Sequence, residues 1–210
     1  MRSRFDQELE GLHHRLIQMG SLCEKAISMS SEALEKGDTH ALEAVSPLEA
    51  DIDHMEREIE ALCLKLLLQQ QPVAKDLRLI SAALKMITDM ERIGNMSADI
   101  AEVVGYVGGK GSQIKVLVRM AEEACLMVTR SVDAYVKSDY ELAQSVIAQD
   151  DVVDSLFSSV KKTLAQIIAA RPEDSERALD VLMIAKYYER IADHAVNIAS
   201  WVLFSLTGTH

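Results

Sequence analysis

The stretch Tyr188-Glu189-Arg190-Ile191-Ala192-Asp193-His194-Ala195-Val196-Asn197-Ile198-Ala199 decides the fold, because the chain carries it twice. Ninety-eight residues earlier stands Met90-Glu91-Arg92-Ile93-Gly94-Asn95-Met96-Ser97-Ala98-Asp99-Ile100-Ala101. Each copy sets an acidic residue, a polar one four later and another four beyond that into an otherwise apolar helical pattern: Glu189, Asp193, Asn197 and Glu91, Asn95, Asp99. In a helix this spacing stacks three oxygen-bearing side chains in one row on one face. Such a row on a helix patterned for a core calls for a chemical reason.

Outward from Met90, the helix shows two apolar seams. Leu77, Ile80, Leu84, Ile87, Gly94, Ala98 and Ala101 follow one, and Leu79, Ala83, Met86, Met90, Ile93, Ile100 and Val104 the other. A helix apolar on two sides is packed from two sides, so it should be the most enclosed of its group. Before it, Phe5, Leu9, Leu12, Leu16, Met19 and Cys23 begin a coiled-coil-like seam of a first helix, which stops at Lys36-Gly37-Asp38. A second helix follows through Val45, Leu48, Ile52, Met55, Ile59, Leu62 and Leu66, with Pro47 predicting a kink or a later start. Pro72 suits the first turn of the third helix.

Gly105-Tyr106-Val107-Gly108-Gly109-Lys110-Gly111 reads as the one linker, and beyond it the plan repeats. A fourth helix stops at Lys137-Ser138-Asp139, in register with Lys36-Gly37-Asp38; a fifth runs to about Ala170; Arg171-Pro172-Glu173-Asp174 opens a sixth that reaches about Leu206. The expected fold is all-α, two tandem, pseudo-symmetric antiparallel three-helix bundles: residues 1–105, a Gly-rich linker at 106–111, and residues 112–210.

Composition agrees. The 210 residues are 49% hydrophobic but only 4% aromatic, which suits packing of Ala, Leu, Ile and Met between helices better than a β-sandwich. A net charge of −11 argues against nucleic acid and favours cations or basic partner surfaces. Neither a signal-peptide pattern at the N-terminus nor an apolar run long enough to span a bilayer is found, which leads to a cytoplasmic expectation. Cys23, Cys63 and Cys125 read as small buried hydrophobes, and His13-His14 as surface residues.

Acidic pairs at a spacing of four recur on the second and fifth helices: Glu49 with Asp53, and Asp150 with Asp154, equivalent under the repeat. Each bundle thus offers two pairs on adjacent helices, Glu49/Asp53 with Glu91/Asn95, and Asp150/Asp154 with Glu189/Asp193. Carboxylates packed together raise one another's pKa unless a cation neutralises them, and oxygen ligands suit Mg, Ca, Mn or Fe better than a structural zinc. His54 and His194 adjoin Asp53 and Asp193 and are candidate nitrogen ligands, although an adjacent residue points about 100° round the helix. The competing reading is structural, with Arg92 and Arg190 pairing with acids of neighbouring helices or the acidic rows merely solvated. None of the four acidic pairs carries the Glu-x-x-His motif of di-metal bundles, and a Ser-His-Asp order and a phosphate loop are missing.

Three segments together resemble the PhoU family of bacterial phosphate-uptake regulators: Gln71-Pro72-Val73-Ala74-Lys75-Asp76-Leu77-Arg78, Asp89-Met90-Glu91-Arg92-Ile93-Gly94-Asn95, and Tyr188 through Ile198. The resemblance implies two similar three-helix bundles, a homodimer, and paired motifs able to bind multinuclear metal clusters, with iron first and Zn, Mn, Mg or Ca as further candidates. Carried over by position, the ligands are Glu49, Asp53, Glu91, Asn95, Asp150, Asp154, Glu189 and Asp193. Asn95 stands where the family has Asp, so the first-bundle site is the weaker one on this reading.

By the same resemblance the protein is a non-enzymatic, cytoplasmic negative regulator. It would couple the phosphate ABC transporter, through the ATPase subunit, to a sensor histidine kinase, and would meet the membrane only through those partners. Two rivals are a carboxylate-bridged metalloenzyme and a metal-free acidic helical adaptor.

Overall fold

The computed structural model describes residues 2–38, 40–70, 72–107 and 114–209. Six helices follow in chain order: α1 (Arg2–Lys36), α2 (Ala41–Gln70), α3 (Ala74–Val107), α4 (Ile114–Lys137), α5 (Tyr140–Ala170) and α6 (Ser175–Thr207), with a 3-10 turn at Pro172–Asp174 before α6. No strand occurs among the described residues. The chain is all-α and forms two antiparallel three-helix bundles, α1 to α3 and α4 to α6, as the repeat requires.

The helix ends follow from local chemistry. Gly37 closes α1 at φ 68°, and the Asp38 amide donates back to the Ala33 carbonyl at 2.9 Å. The equivalent stop after α4 uses Ser138 at φ 53°, with the Asp139 amide reaching Ala134 O at 2.9 Å. Asp139 then caps α5, its carboxylate accepting from the Leu142 amide. Pro47 neither breaks α2 nor delays it. The helix starts at Ala41 and passes through the proline, which lies at an exposed position near the N-terminal end. There the carbonyl that loses its donor to Pro47 can be hydrated.

The bundles are joined along two seams. α1 packs on α4 and α3 on α6, so that α1, α3, α6 and α4 form a central ring of four helices. α2 lies against α1 and α3, and α5 against α4 and α6. As the double seam predicts, α3 is enclosed: Ile80, Ala83, Met86, Met90, Ile93, Ile100 and Val104 are all fully buried. α6 buries the equivalent surface through Ile184, Tyr188, Ile191, Ala195, Ile198 and Val202.

α3 continues through Tyr106 to Val107, so the expected linker 106–111 begins two residues inside a helix; 108–111 lie outside the described residues. His13 departs from its expected surface position. It is partly buried and sits edge-on to the Tyr135 ring, centroids 5.6 Å apart, at the α1–α4 contact. Cys23 and Cys63 are buried and Cys125 partly so; all three are free thiols, raised in pKa chiefly by burial.

Candidate metal and cation site

Four helices carry the eight residues that the sequence singles out. α2 brings Glu49 and Asp53, α3 Glu91 and Asn95, α5 Asp150 and Asp154, and α6 Glu189 and Asp193. They sit at the margin of the packed seams. Asp154 and Asp193 are exposed, and the other six are half-buried.

In the first bundle the α2 and α3 acids share one field. The Glu49 carboxyl is pushed up by burial first, then by Asp53, Asp99 and Glu91. Asn95 donates its amide to Glu91 Oε1 at 2.7 Å, so the residue without charge holds the one with it. In the second bundle burial, then Asp154, Asp193 and Glu189, push Asp150 up to about 6. Asp193 is raised by burial and by Glu189 and Asp154, against the opposing pull of Lys186 and His194.

Asp53 Oδ1 and Asp150 Oδ1 are buried and lack a hydrogen-bond partner among the described residues. A buried carboxylate oxygen without a donor costs free energy that a cation would offset. The donor set therefore fits a hard cation in type and charge. Among the described residues, however, no three Asp, Glu, His or Cys side chains lie close enough to hold one ion as they stand. Closing on an ion requires side-chain rotation.

Neither candidate histidine is turned toward the acids as a ligand. His54 Nε2 lies 3.4 Å from Glu58 Oε1, and Glu58 also pairs with Arg15 of α1 at 2.5 Å. His194 is buried, with Nδ1 2.7 Å from Asp89 Oδ1 on α3. Asn197, the third member of the α6 row, also leaves the site: its amide donates to the same Asp89 oxygen at 3.2 Å. Asp99, the third member of the α3 row, bonds Tyr187 and lies in the field of Arg190 on α6. Asp89 with Asn197, and Tyr187 with Asp99, occupy equivalent positions under the internal repeat, so the α3–α6 seam is held by two pseudo-symmetric polar contacts. Part of the structural reading of Arg190 is thereby met.

Sequence reasoning missed three participants. Glu56 on α2 is raised by burial and then by Glu91, Glu60 and Asp53, which adds a carboxylate to the first site. It lies seven residues beyond Glu49, on the same helical face, and that spacing is its only signal. Its counterpart in the second bundle is Phe157, whose ring carries Lys161 at 4.6 Å and Lys186 at 5.4 Å. Lys186 also forms an ion pair with Glu189.

No helix among the described residues is long and apolar enough to cross a membrane. The PhoU domain family matches the chain twice, at residues 16–104 and 117–202, which repeats the division into bundles. A phosphate-specific transport system accessory protein PhoU homolog of Clostridium acetobutylicum is 35% identical, the alignment covering 99% of this chain and 96% of that protein. A protein of the same description from Pseudomonas aeruginosa is 32% identical over 98% of this chain and 86% of its own length. The crystal structure of PhoU from Pseudomonas aeruginosa superposes with a TM-score of 0.90 at 33% identity, covering 98% of this chain and 100% of that one. The two family matches together take in most of the chain, and with the full-length relatives they establish that it belongs to the PhoU family.

Proposed function

We propose that this protein is a non-enzymatic negative regulator of phosphate uptake and of the phosphate-starvation response. It acts in the cytoplasm, between the ATPase subunit of a phosphate ABC transporter and a sensor histidine kinase, as a homodimer. The observation that carries the reading is full-length similarity to accessory proteins of phosphate-specific transport systems. The doubled bundle with its long helical faces supports a docking role, since such a scaffold offers extended surfaces and little enclosed space.

On this proposal the carboxylate rows bind multivalent cations, iron first, with Zn, Mn, Mg or Ca as alternatives. Glu49, Asp53, Glu91 and Asn95 would hold one group of ions, and Asp150, Asp154, Glu189 and Asp193 the other. The carboxyls of Glu49 and Asp150, raised by burial and then by neighbouring acids, and the partnerless oxygens of Asp53 and Asp150 support it. A bound cation would supply the positive charge that the acids lack and fix α2 to α3 and α5 to α6. The Lys186–Glu189 ion pair favours a second reading for the second bundle, in which the row is neutralised internally and the protein is a metal-free adaptor.

Deletion of the gene, with phosphate-starvation genes and phosphate uptake followed in high phosphate, tests the regulatory role. Derepression with raised uptake is expected; unchanged expression and uptake would remove the assignment. Metal analysis of purified protein after loading, compared with Glu189→Ala/Asp193→Ala and Glu49→Ala/Asp53→Ala, tests the cation sites separately. Absence of stoichiometric metal under every loading condition leaves the adaptor.

A further inference from the structure

Between α1 and α4, on the side of the four-helix ring away from the α3–α6 seam, the surface opens into a groove of about 460 Å³. Its floor is apolar: Ile27 and Ala121 are buried beneath it, while Val118 and the 39% exposed Leu126 face into it. Its walls are acidic on both sides, with Glu35 from α1 and Glu122 from α4, while Glu32 of α1 also lines it but is paired with Lys36 of its own helix. The two helices run antiparallel here, since Glu24 of α1 accepts from Thr129 of α4 at 2.8 Å while His13, earlier on α1, meets Tyr135, later on α4.

The opposite seam differs. There α3 and α6 carry their own polar contacts, Asp89 with His194 and Asn197, and Lys85 5.9 Å from the Trp201 ring. The α1–α4 groove instead offers a greasy floor between two acidic walls.

We propose that this groove is the docking site for a basic amphipathic helix of a partner protein. A trough between two antiparallel helices accepts a third helix laid along it, with apolar side chains at helical spacing against the floor. Lysines or arginines flanking that apolar stripe would then meet Glu35 on one side, where they could also take Glu32 from Lys36, and Glu122 on the other. Charge decides against other occupants. A second copy would set the same acids against one another in a chain of net charge −11, and an anionic membrane surface or nucleic acid would be repelled likewise. The proposal rests on the regulatory reading only in taking the occupant to be a protein, and it places that partner away from the carboxylate rows.

Cys125 supplies the readout, because it lines the groove and is partly accessible while Cys23 and Cys63 are buried. The probe is a synthetic Leu/Lys peptide patterned as an amphipathic helix, with a scrambled peptide of equal charge as control. The full-length protein is titrated at physiological salt while modification of Cys125 by a maleimide is timed. The patterned peptide is expected to slow modification about tenfold or more at saturation, and the scrambled one to leave it unchanged. Glu32→Gln/Glu35→Gln/Glu122→Gln should weaken binding about tenfold, whereas Glu43→Gln/Glu141→Gln/Glu173→Gln, equal in charge but off the groove, should not.

Unaltered Cys125 modification at saturating peptide overturns the proposal, as does equal weakening by both triple variants. So does a dimer in sedimentation that already shields Cys125 without peptide, which would make a second copy the occupant. In cells the groove variant should derepress the starvation genes at normal protein level. If gene deletion itself has no effect, the regulatory reading fails while the peptide result still judges the groove.

Discussion

At equivalent places the two bundles carry different balances of charge and volume. The first site has Glu49, Asp53, Glu56 and Glu91, with Asn95 as its neutral member; the second has Asp150, Asp154, Glu189 and Asp193, with Lys186 bonded to Glu189 and Phe157 where the first has Glu56. Judged by Asn95 alone the first site is the weaker. Judged by its neighbours it regains through Glu56 the charge given up at Asn95, while the second site carries a built-in counter-ion. A duplicated motif is therefore a poor guide to relative cation affinity until the helix packed against it is known.

The largest difference between the halves lies in the α3–α6 seam, where the two pseudo-symmetric contacts are unequal. Asp89 is buried and holds both His194 and Asn197, whereas Asp99 is half-buried and is held by Tyr187. Asp89→Ala strands the buried His194 at the seam, while the exposed Asn197 can turn to water, and should cost about 2 kcal/mol in denaturant unfolding. Asp99→Ala should cost under about 1 kcal/mol, since water can replace its partner. Equal losses would show that the two contacts are interchangeable and that burial does not rank them.

The second test concerns how closely α2 approaches α3. A methyl group on Gly94 would meet Ile52 Cδ1 at 2.9 Å and Cγ2 at 3.2 Å. The equivalent residues in the second bundle are Ala192 and Val153, so one carbon has moved from one helix to the other. Gly94→Ala should destabilise by about 2 kcal/mol from overpacking, partly masked by the better helix propensity of alanine. Adding Ile52→Val removes the nearest clashing carbon and should return stability to within about 1 kcal/mol of the parent. Additive losses in that double-mutant cycle would refute the exchange.

These contrasts also mark what could be read from residues alone. The six helices, their stops and the internal repeat were legible because each rests on local periodicity or on a turn residue such as Gly37. The eight site residues were legible as rows, because a spacing of four is a property of one helix. Their neighbours were not. Whether Asn197 faces Asp193 or Asp89, and whether Glu56 joins Glu91, depends on how α3 rotates against α2 and α6, which no single helix encodes. His13 was misplaced for the same reason: its burial comes from Tyr135 on α4, far away in sequence.

A third, smaller effect separates the sites by pH. The Asp150 carboxyl titrates near 6 in the folded chain because burial and its neighbours oppose ionisation, against about 3.8 as its ordinary value. The folded protein thus binds this proton more tightly than the unfolded one. Stability from this group is greatest at low pH and is lost as pH rises from about 4 to 6. Metal-free protein carrying Asp150→Asn should be more stable than the parent at pH 7, by about 1 kcal/mol once partial exposure is allowed for, and no more stable at pH 4. Saturating cation should abolish the advantage at pH 7. An advantage that is the same at both pH values would place its origin in packing.

The smallest expected effect lies at the paired helix stops. Gly37 and Ser138 do the same work at φ 68° and 53°, but only Gly37 does it without a Cβ crowding the backbone. Ser138→Gly should raise stability by up to about 1 kcal/mol, less the greater freedom that glycine gives the unfolded chain. Gly37→Ser should lower it by a similar amount, so that the two substitutions exchange the character of the stops. The serine hydroxyl is the complication: Ser138 is exposed, and its backbone amide already donates to Tyr135 O at 3.1 Å. A gain from Ser138→Gly in thermal unfolding shows that backbone strain governs this stop. Lost stability would show that the reduced unfolded-state freedom of serine outweighs its left-handed strain, and the two stops would then be alike in energy despite their different residues.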